Sequence, residues 1–485
     1  MRTKPPVHFI LTILFVLSGC SHEIPQAILT ADWSGTAKLE KGYANPLIDF
    51  NFTADPTAVE HEGRLYVYAT NDQQQCDEKG PDSDNTYERI KSLAMMSTED
   101  MVNWTWHGTI DVEALAPWIV ASWAPSVVSR VEEDGLMHFY LYFSNSGVGS
   151  GVLTSTSPTG PWTSPLHRSL VDYSDPGNED CEHPFDPGVV IDPEGTGWIT
   201  FGAGVSKIAR LGKDMISLDS EITPLPAKFH FEANELNFIN DTYVYTYNTD
   251  WKEHSDWNLE VPAPSICCMS YMTSKTPLEP SSWTYHDNYF RNPGENGFDY
   301  SNNHTHLHKY KGQWYIFHHT MSLRHNLGVK GGYRNVSVDR IDIDESTLSI
   351  KMVPATYEGV SQVDAVDPFI WQQMEMTAGT KDVFFEPHGA TGNMVACSHT
   401  TGSILVRGAD FDKKARKLII SAIGTGRIEV HENCPSGTLI SAVDIDSPEM
   451  SEMKSVLAVS PSGKADLCFL FKGTDLKIDM WKFGR

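Results

Sequence analysis

Five stretches of the chain repeat one pattern: a tight-turn residue, then aliphatic and aromatic side chains at alternate positions. They are 63–68, 135–143, 195–201, 240–247 and 312–317. A period of two marks a β-strand, and Gly, Asn or Asp before it supplies the turn. Upstream of each lies a second short run, at 55–59, 123–128, 186–191, 232–239 and 304–308. Polar connectors such as 155–165 and 274–283 separate the units, and helical periodicity is nearly absent. Five units of blade length predict an all-β fold, with a five-bladed β-propeller over 44–352. A large sandwich or jelly roll is the alternative, but a sandwich gives no reason to restart one pattern. After 352 the pattern stops. Residues 353–370 are linker-like, and from Trp371 a different texture begins, with strands predicted at 402–411, 427–431, 467–473 and 478–483. A second module over 371–485 is expected.

In a propeller the innermost strand of each blade lines the axis, so equivalent strand starts converge at one end of the channel. The upstream runs are the candidates for those strands. Asp55, Asp186 and Glu232 stand at or near the start of three of them, in Ala54-Asp55-Pro56, Phe185-Asp186-Pro187-Gly188 and Phe231-Glu232-Ala233. Trp123 and His304 stand there in the other two. Singly, an Asp before Pro is an ordinary turn residue and a Glu before a strand an ordinary solvated one. Their equivalent placement makes coincidence harder. Glycoside hydrolysis needs one carboxylic acid to protonate the leaving oxygen and one carboxylate to activate water or attack carbon. A third carboxylate keeps the acid protonated, because like charge raises a pKa. Their separation, and hence the stereochemistry, is not fixed by sequence.

Rival chemistries find less support. The chain has no Gly-x-Ser-x-Gly, no glycine-rich phosphate loop and no His-Glu-x-x-His. His304, His306 and His308 alternate along one run and share a face, which opens a transition-metal site as one reading. Without a nearby Cys or a clear fourth ligand, one inward imidazole with the others satisfied in the blade is preferred. Lys and Arg number 37 against 63 Asp and Glu, a net charge of −26, so nucleic acid is excluded as a partner. Aromatic residues make up 11%, which suits sugar stacking and an all-β core equally.

Arg2 and Lys4, followed by apolar residues 9–17, read as an export signal. Leu17-Ser18-Gly19-Cys20 resembles a bacterial lipoprotein box. Residues 1–20 are then a signal peptide, Cys20 the lipidated N-terminus and 21–43 a tether. An ordinary secretory signal or a short anchor is the alternative, although the apolar run is short for a membrane span. The expected product is an exported lipoprotein, anchored to a membrane by lipid alone, in the periplasm or at the cell surface. The other seven cysteines are irregularly spaced and predict mostly free buried thiols, with room for one disulfide.

With these motifs in place, the chain resembles glycoside hydrolase family 43. The likeness runs in order through Asn45-Pro46-Leu47, Ala54-Asp55-Pro56, Trp123-Ala124-Pro125-Ser126, Phe185-Asp186-Pro187-Gly188, Phe231-Glu232-Ala233, Asn302-Asn303-His304 and Gly332-Tyr333-Arg334. Gly151-Val152-Leu153-Thr154 and Lys330-Gly331-Gly332 add a finer likeness to arabinoxylan arabinofuranohydrolases. The resemblance implies an inverting, exo-acting enzyme that releases α-L-arabinofuranosyl side chains from arabinoxylan or related hemicellulose. It implies Asp55 as general base, Glu232 as general acid and Asp186 as the residue that orients the acid and raises its pKa. Glu235 is the rival acid. Base and acid carboxyls would lie about 6.5–9.5 Å apart. Trp123 would wall the substrate pocket, Arg334 would contact the deepest sugar, and His304 would hold a calcium or similar ion at the channel centre through water. No organic cofactor is implied.

Residues 371–485 resemble a family 6 carbohydrate-binding module, a β-sandwich of jelly-roll type, with Glu375 and Asp479 as candidates for its structural calcium. No aromatic occurs in 446–454, and Ser403 stands where an acid or aromatic is usual. The module therefore reads either as sugar-binding or as a packing unit for the propeller. β-Xylosidase, another furanosidase, arabinanase and a non-hydrolytic glycan-binding lipoprotein remain open, though a binding protein has no use for an acid, a base and a modulator together. Oligomeric state is not fixed by the sequence.

Overall fold

The repeat strands are apolar on both faces, so each sheet can bury one face against the sheet before it and the other against the sheet after it. That is how the chain folds in the computed structural model, which describes residues 43–485 apart from 255–256, 389–391, 398–400, 434–436 and 474. Phe139, Leu141 and Phe143 pack with Leu93 and Met95 of the preceding sheet. Tyr140 and Tyr142, one residue out of phase, pack with Ile199 and Phe201 of the following one. Leu65 and Val67 of the first sheet pack on Tyr315 and Phe317 of the last. The same alternation builds the two remaining inter-sheet cores.

The result is a five-bladed propeller, as the repeat predicts. Blade one holds Ala54–His61, Arg64–Thr70, Ser92–Thr98 and Trp104–Asp111. Blade two holds Trp123–Val131, Met137–Ser144, Gly149–Ser155 and Val171–Asp172. Blade three holds Gly188–Ile191, Gly197–Phe201, Lys207–Arg210 and Thr223–Pro224. Blade four holds His230–Ile239, Thr242–Thr249, Met269–Ser274 and Thr284–Phe290. Blade five holds Thr305–Tyr310, Gln313–Thr320 and Asn335–Arg340. In each, the first strand is innermost and touches the first strand of the next blade, with the last touching the first. The hairpins that open blades one, four and five turn on Glu62-Gly63, Asn240-Asp241 and Lys311-Gly312, all with positive φ. Two successive positive φ values match the twist of the flanking strands.

Blade five is completed by the start of the described chain. The Leu47 amide donates to the Val336 carbonyl at 2.9 Å, and the Thr53 amide to the Arg334 carbonyl at 2.9 Å. The Asn45 side chain donates to Val338 O at 3.1 Å and accepts from Val338 N at 2.8 Å. First and last parts of the propeller are thus joined by backbone geometry, without a covalent link.

The C-terminal residues form one curled, sandwich-like sheet in the order Gly379–Lys381, Thr401–Phe411, Gly463–Lys472, Lys417–Glu432, Lys477–Gly484, Gly392–Cys397 and Val383–His388, with Thr438–Val456 paired to Lys417–Glu432. Trp481, Phe469 and Ile428 are fully buried in its core. It is pinned to the propeller. Met376–Thr377 adds a fifth strand to the outer edge of blade one. Asp49 accepts from the Thr380 amide and hydroxyl, and Phe50 packs on Phe385 with ring centres 4.5 Å apart. The irregular stretch 353–370 is packed too: Val363 N donates to Asp100 O, and Gln362 reaches Asp100 and Arg407 O.

Cys76, Cys181, Cys267 and Cys268 are free and buried, and Cys468 is disulfide-bonded. Among the described residues no helix is long and apolar enough to cross a membrane. The export signal and Cys20 lie outside the described residues.

Candidate active site

Four inner strands begin with the same local distortion. Asp55, Ala124, Asp186 and Ala233 all take positive φ, of 51°, 36°, 51° and 61°. Register slips follow in blades one, two and four, at Ala54/Thr57, Trp123/Ser126 and Glu232/Glu235. A bulge of this kind re-aims side chains at the end of a strand. Here it turns Asp55, Trp123, Asp186 and Glu232 into one pocket with Tyr87, Phe185, Asn302, His304 and Arg334.

Each distorted residue has its amide held by a side chain. Thr70 Oγ1 accepts from Ala124 N at 2.8 Å, and Ser144 Oγ accepts from Asp186 N at 2.9 Å. His319 Nδ1 accepts from Asp55 N at 3.2 Å, and Asp186 Oδ2 accepts from Ala233 N at 2.9 Å. Thr70, Ser144 and His319 all stand at or near the end of the second strand of the preceding blade. Gly188 brings blade three close enough for the Ala233 contact: a Cβ there would lie 2.5 Å from Glu235 Cα and 2.6 Å from Asn234 O.

Asp55 is buried among donors. Arg334 Nη1 reaches its Oδ1 at 2.9 Å and the Thr70 hydroxyl its Oδ2 at 2.7 Å. Burial alone would raise its pKa, but the Arg334 guanidinium holds the carboxyl well below the usual carboxylate range. This environment favours Asp55 as the ionised base.

Glu232 is the opposite case. Burial first, then the Asp186 charge, pushes its carboxyl up to about 8, against one opposing hydrogen bond from Asn302 Nδ2 at 3.2 Å. Asp186 is also raised by burial. Burial thus favours the neutral form of both, and their donors decide which holds a proton more readily. Asp186 accepts from Ala233 N and from the Ser144 hydroxyl at 3.1 Å and feels His304. Glu232 has the weaker set, so the proton belongs to Glu232.

Arg334 is 2% exposed and spans the pocket floor. Its Nε and Nη2 grip Asp72 at 2.9 and 2.8 Å, while Nη1 serves Asp55 and, at 3.2 Å, Asn302 Oδ1. A guanidinium carries five N–H groups. These four bonds leave one N–H on Nη2 for a ligand. The guanidinium carbon sits 4.7 Å from the centre of the Tyr87 ring, which Trp123 meets edge-on while its indole N–H donates to Tyr87 O.

His304 lies beside the base, with Nδ1 3.7 Å from Asp55 Oδ1. His306 and His308 meet each other within the blade, and His306 also reaches beyond it. Glu235 takes His306 Nδ1 at 2.7 Å, and His306 Nε2 lies 3.3 Å from His308 Nδ1. Glu235 is thereby spent on the imidazole chain and does not line the pocket. Glu375 and Asp479 are remote from this site, on the paired stretch where Met374 N donates to Asp479 O. Among the described residues no group of three or more His, Cys, Asp or Glu is arranged to hold a metal.

The sequence reading brought Asp55, Asp186, Glu232, Trp123, His304 and Arg334 forward, and all six line one pocket. It missed Asp72, Thr70, Ser144, Asn302, His319 and Tyr87. The pocket, of about 90 Å³, opens past Trp123, Phe185 and Glu232 into a cleft of about 530 Å³ that adds Tyr173, His183 and Phe231.

Comparison with known proteins agrees with this geometry. The sequence profile of Glycosyl hydrolases family 43 matches residues 43–347. An arabinoxylan arabinofuranohydrolase of Bacillus subtilis is 32% identical, across 100% of this chain and 99% of its own. A protein of the same name from Paenibacillus polymyxa is 29% identical, across 91% of this chain and 74% of its own. The crystal structure of a Bacillus subtilis arabinoxylan arabinofuranohydrolase, in complex with cellotetraose, superposes with a TM-score of 0.86 at 31% identity, covering 93% of this chain and 99% of that one.

Proposed function

The chain belongs to glycosyl hydrolases family 43, and from that premise we propose that it is an inverting, exo-acting α-L-arabinofuranosidase that removes single branches from arabinoxylan-type hemicellulose. The observation that carries the reading is the pair of carboxyls that line one pocket in opposite surroundings, Asp55 held by Arg334 and the Thr70 hydroxyl, Glu232 buried with Asp186 and pushed up to about 8. Hydrolysis by acid and base needs that opposition.

The arabinofuranosyl ring occupies the smaller pocket, against Trp123 and the free N–H of Arg334. Glu232 stands where pocket meets cleft, which is where the scissile oxygen must lie. As the C–O bond breaks, Glu232 gives its proton to the leaving oxygen. Asp55 takes a proton from the water that attacks the anomeric carbon from the other face. One C–O bond forms as one breaks, and the configuration inverts. Asp186 keeps Glu232 protonated between turnovers. Asp55 and Glu232 are linked through Arg334 and Asn302 rather than touching, consistent with a gap for water. The pocket suits one sugar and the cleft beyond Glu232 suits the polymer, which supports exo action on a branch. The choice of arabinofuranose over xylose is supported by the two relatives named for arabinoxylan.

Three further assignments belong to the same proposal. A calcium or similar ion near His304 would add positive charge beside Asp55. With so few acidic or imidazole ligands in reach, water and carbonyl oxygens would fill most of its shell, which calcium tolerates. Residues 371–485 serve as a family 6-like module, with Glu375 and Asp479 as its candidates for a structural cation. Cys20 carries the lipid that anchors the exported protein.

The test is product analysis of the mature protein on wheat arabinoxylan and on aryl arabinofuranoside and aryl xyloside. Free arabinose with an uncut xylan backbone is expected. Xylose from the xyloside would make it a β-xylosidase instead. Glu232→Gln should abolish turnover and spare binding, and unchanged turnover would refute the acid.

A further inference from the structure

His319 is a buried imidazole whose tautomer is dictated by its partners. The Asp55 amide can only donate, so Nδ1, 3.2 Å away, carries no hydrogen. The Asn302 carbonyl can only accept, so Nε2, 2.7 Å away, carries one. Nδ1 also lies 3.3 Å from Asp55 Oδ1, a distance at which a charged ring would pair with the carboxylate. The amide donor on Nδ1 rules that out, and burial holds the ring uncharged.

In blades one and two the equivalent task falls to a hydroxyl. Thr70 and Ser144 each accept a strained amide and donate to a carboxylate close by. An imidazole differs because its acceptor and donor lie on opposite sides of the ring. It can therefore join two separate chain segments. Here those segments are the one that carries Asp55 and the one that carries Asn302. Asn302 in turn donates to Glu232 Oε1 and accepts from Arg334, which returns to Asp55. The base and the residue that touches the acid are thus tied twice, once through backbone and His319, once through side chains and Arg334.

We propose that His319 is a positioning residue for this acid and base: it locks the Asp55 backbone to Asn302 and so sets the gap in which the attacking water sits. The inference rests on the hydrolase reading above. Misplacement by about 1 Å can cost about 100-fold in rate, and the tie through Arg334 does not hold the strained amide.

Kinetics of His319→Ala, His319→Met and His319→Gln test it, each checked by thermal melting. Alanine and methionine should lower kcat by about 100-fold with KM changed less than about threefold. Glutamine can accept from the Asp55 amide and donate to the Asn302 carbonyl, so it should recover at least about tenfold of that loss. A folded alanine variant with native kcat, or a folded glutamine variant no better than methionine, overturns the proposal. If alanine and methionine fail to fold, a natively melting glutamine variant about 100-fold down overturns it. Ratios are taken on whichever aryl glycoside the native protein cleaves, so a wrong sugar leaves the comparison intact. A folded native protein that cleaves none sinks the hydrolase reading and this one with it.

Discussion

Arg334→Met removes one buried cation and keeps most of the volume. The guanidinium lies against Asp55 Oδ1 at 2.9 Å and against both oxygens of Asp72. Two unit charges about 4 Å apart interact by about 4 kcal/mol at an effective dielectric constant of about 20. Each 1.36 kcal/mol is about a factor of ten in proton affinity, so Asp55 should bind a proton about a thousandfold more tightly in the variant. The sign follows from its role. A base works only when ionised, so kcat/KM rises with pH through its titration. In the native protein Arg334 keeps Asp55 ionised through the acidic range, and that limb lies far down. In the variant it climbs to the ordinary carboxylate range or above. The assay is kcat/KM against pH on an aryl arabinofuranoside. A uniform fall in activity with the acid limb unmoved would refute the argument and reduce Arg334 to a sugar contact.

Stability should report the same charge. The native Asp55 pKa is depressed, so its contribution is present above the unfolded pKa and lost as pH falls through the folded value. In Arg334→Met the carboxylate is buried without its cation, which costs about 3–5 kcal/mol near neutral pH. Protonation relieves that cost as pH falls. The difference in Tm between native protein and variant should therefore shrink from pH 7 to pH 4, and a constant difference would count against the pairing.

Asp186→Asn takes away the like charge that helps push Glu232 up to about 8. The alkaline limb of kcat/KM should move to lower pH, because Glu232 must be protonated to act. An unmoved limb would show that Asp186 does not set the acid. Gly188→Ala places a Cβ 2.5 Å from Glu235 Cα, where no side chain can swing aside. Denaturant unfolding should show a loss of about 2–3 kcal/mol, with turnover reduced as Asp186 leaves Ala233. Ending the chain at residue 370 strips the added strand from the edge of blade one and bares Phe50. Lower solubility and a lower Tm are expected by light scattering and calorimetry, since an uncovered apolar edge invites pairing.

What was legible in the sequence was what is local. Alternation over six to nine residues is written in the strands themselves, and apolar side chains on both faces are the mark of a blade packed on two neighbours. The three carboxylates were legible because each stands at the same place in its repeat. The residues that make them chemically different were not. Asp72 lies on the short helix Asp72–Lys79 and meets Arg334 from 262 positions away. Tyr87 comes from the same excursion between the second and third strands of blade one, outside the repeat. Asn302 stood in a recognised motif, but its side-chain partners depend on how blade five closes. A signal did exist for Thr70, Ser144 and His319: each is a polar residue at the end of an otherwise apolar second strand. Of the two histidines expected to be satisfied within the blade, His308 meets His306 on its own strand, while His306 also reaches Glu235 on the neighbouring inner strand.

Those polar strand ends explain why the site needs the whole ring. A non-glycine residue with positive φ costs about 1–2 kcal/mol, and Asp55, Ala124, Asp186 and Ala233 at the inner-strand starts are such residues. Their amides must also find acceptors in a place largely closed to water. Three of the acceptors come from the preceding blade and the fourth is Asp186 itself, so the distortion of one blade is stabilised by its neighbour. For the base that neighbour is blade five, which is joined to blade one by the 44–53 segment. Thr53 bonds to Arg334 O and, through its hydroxyl, to Val336 N, while Asp55 follows two residues later. Arg334 belongs to the segment at the far end of the same join. The chain's closure and the base's ionisation are therefore set by one run of hydrogen bonds. A propeller left open between blades five and one would lose the amide acceptor, the cation and the spacing of Asp55 together.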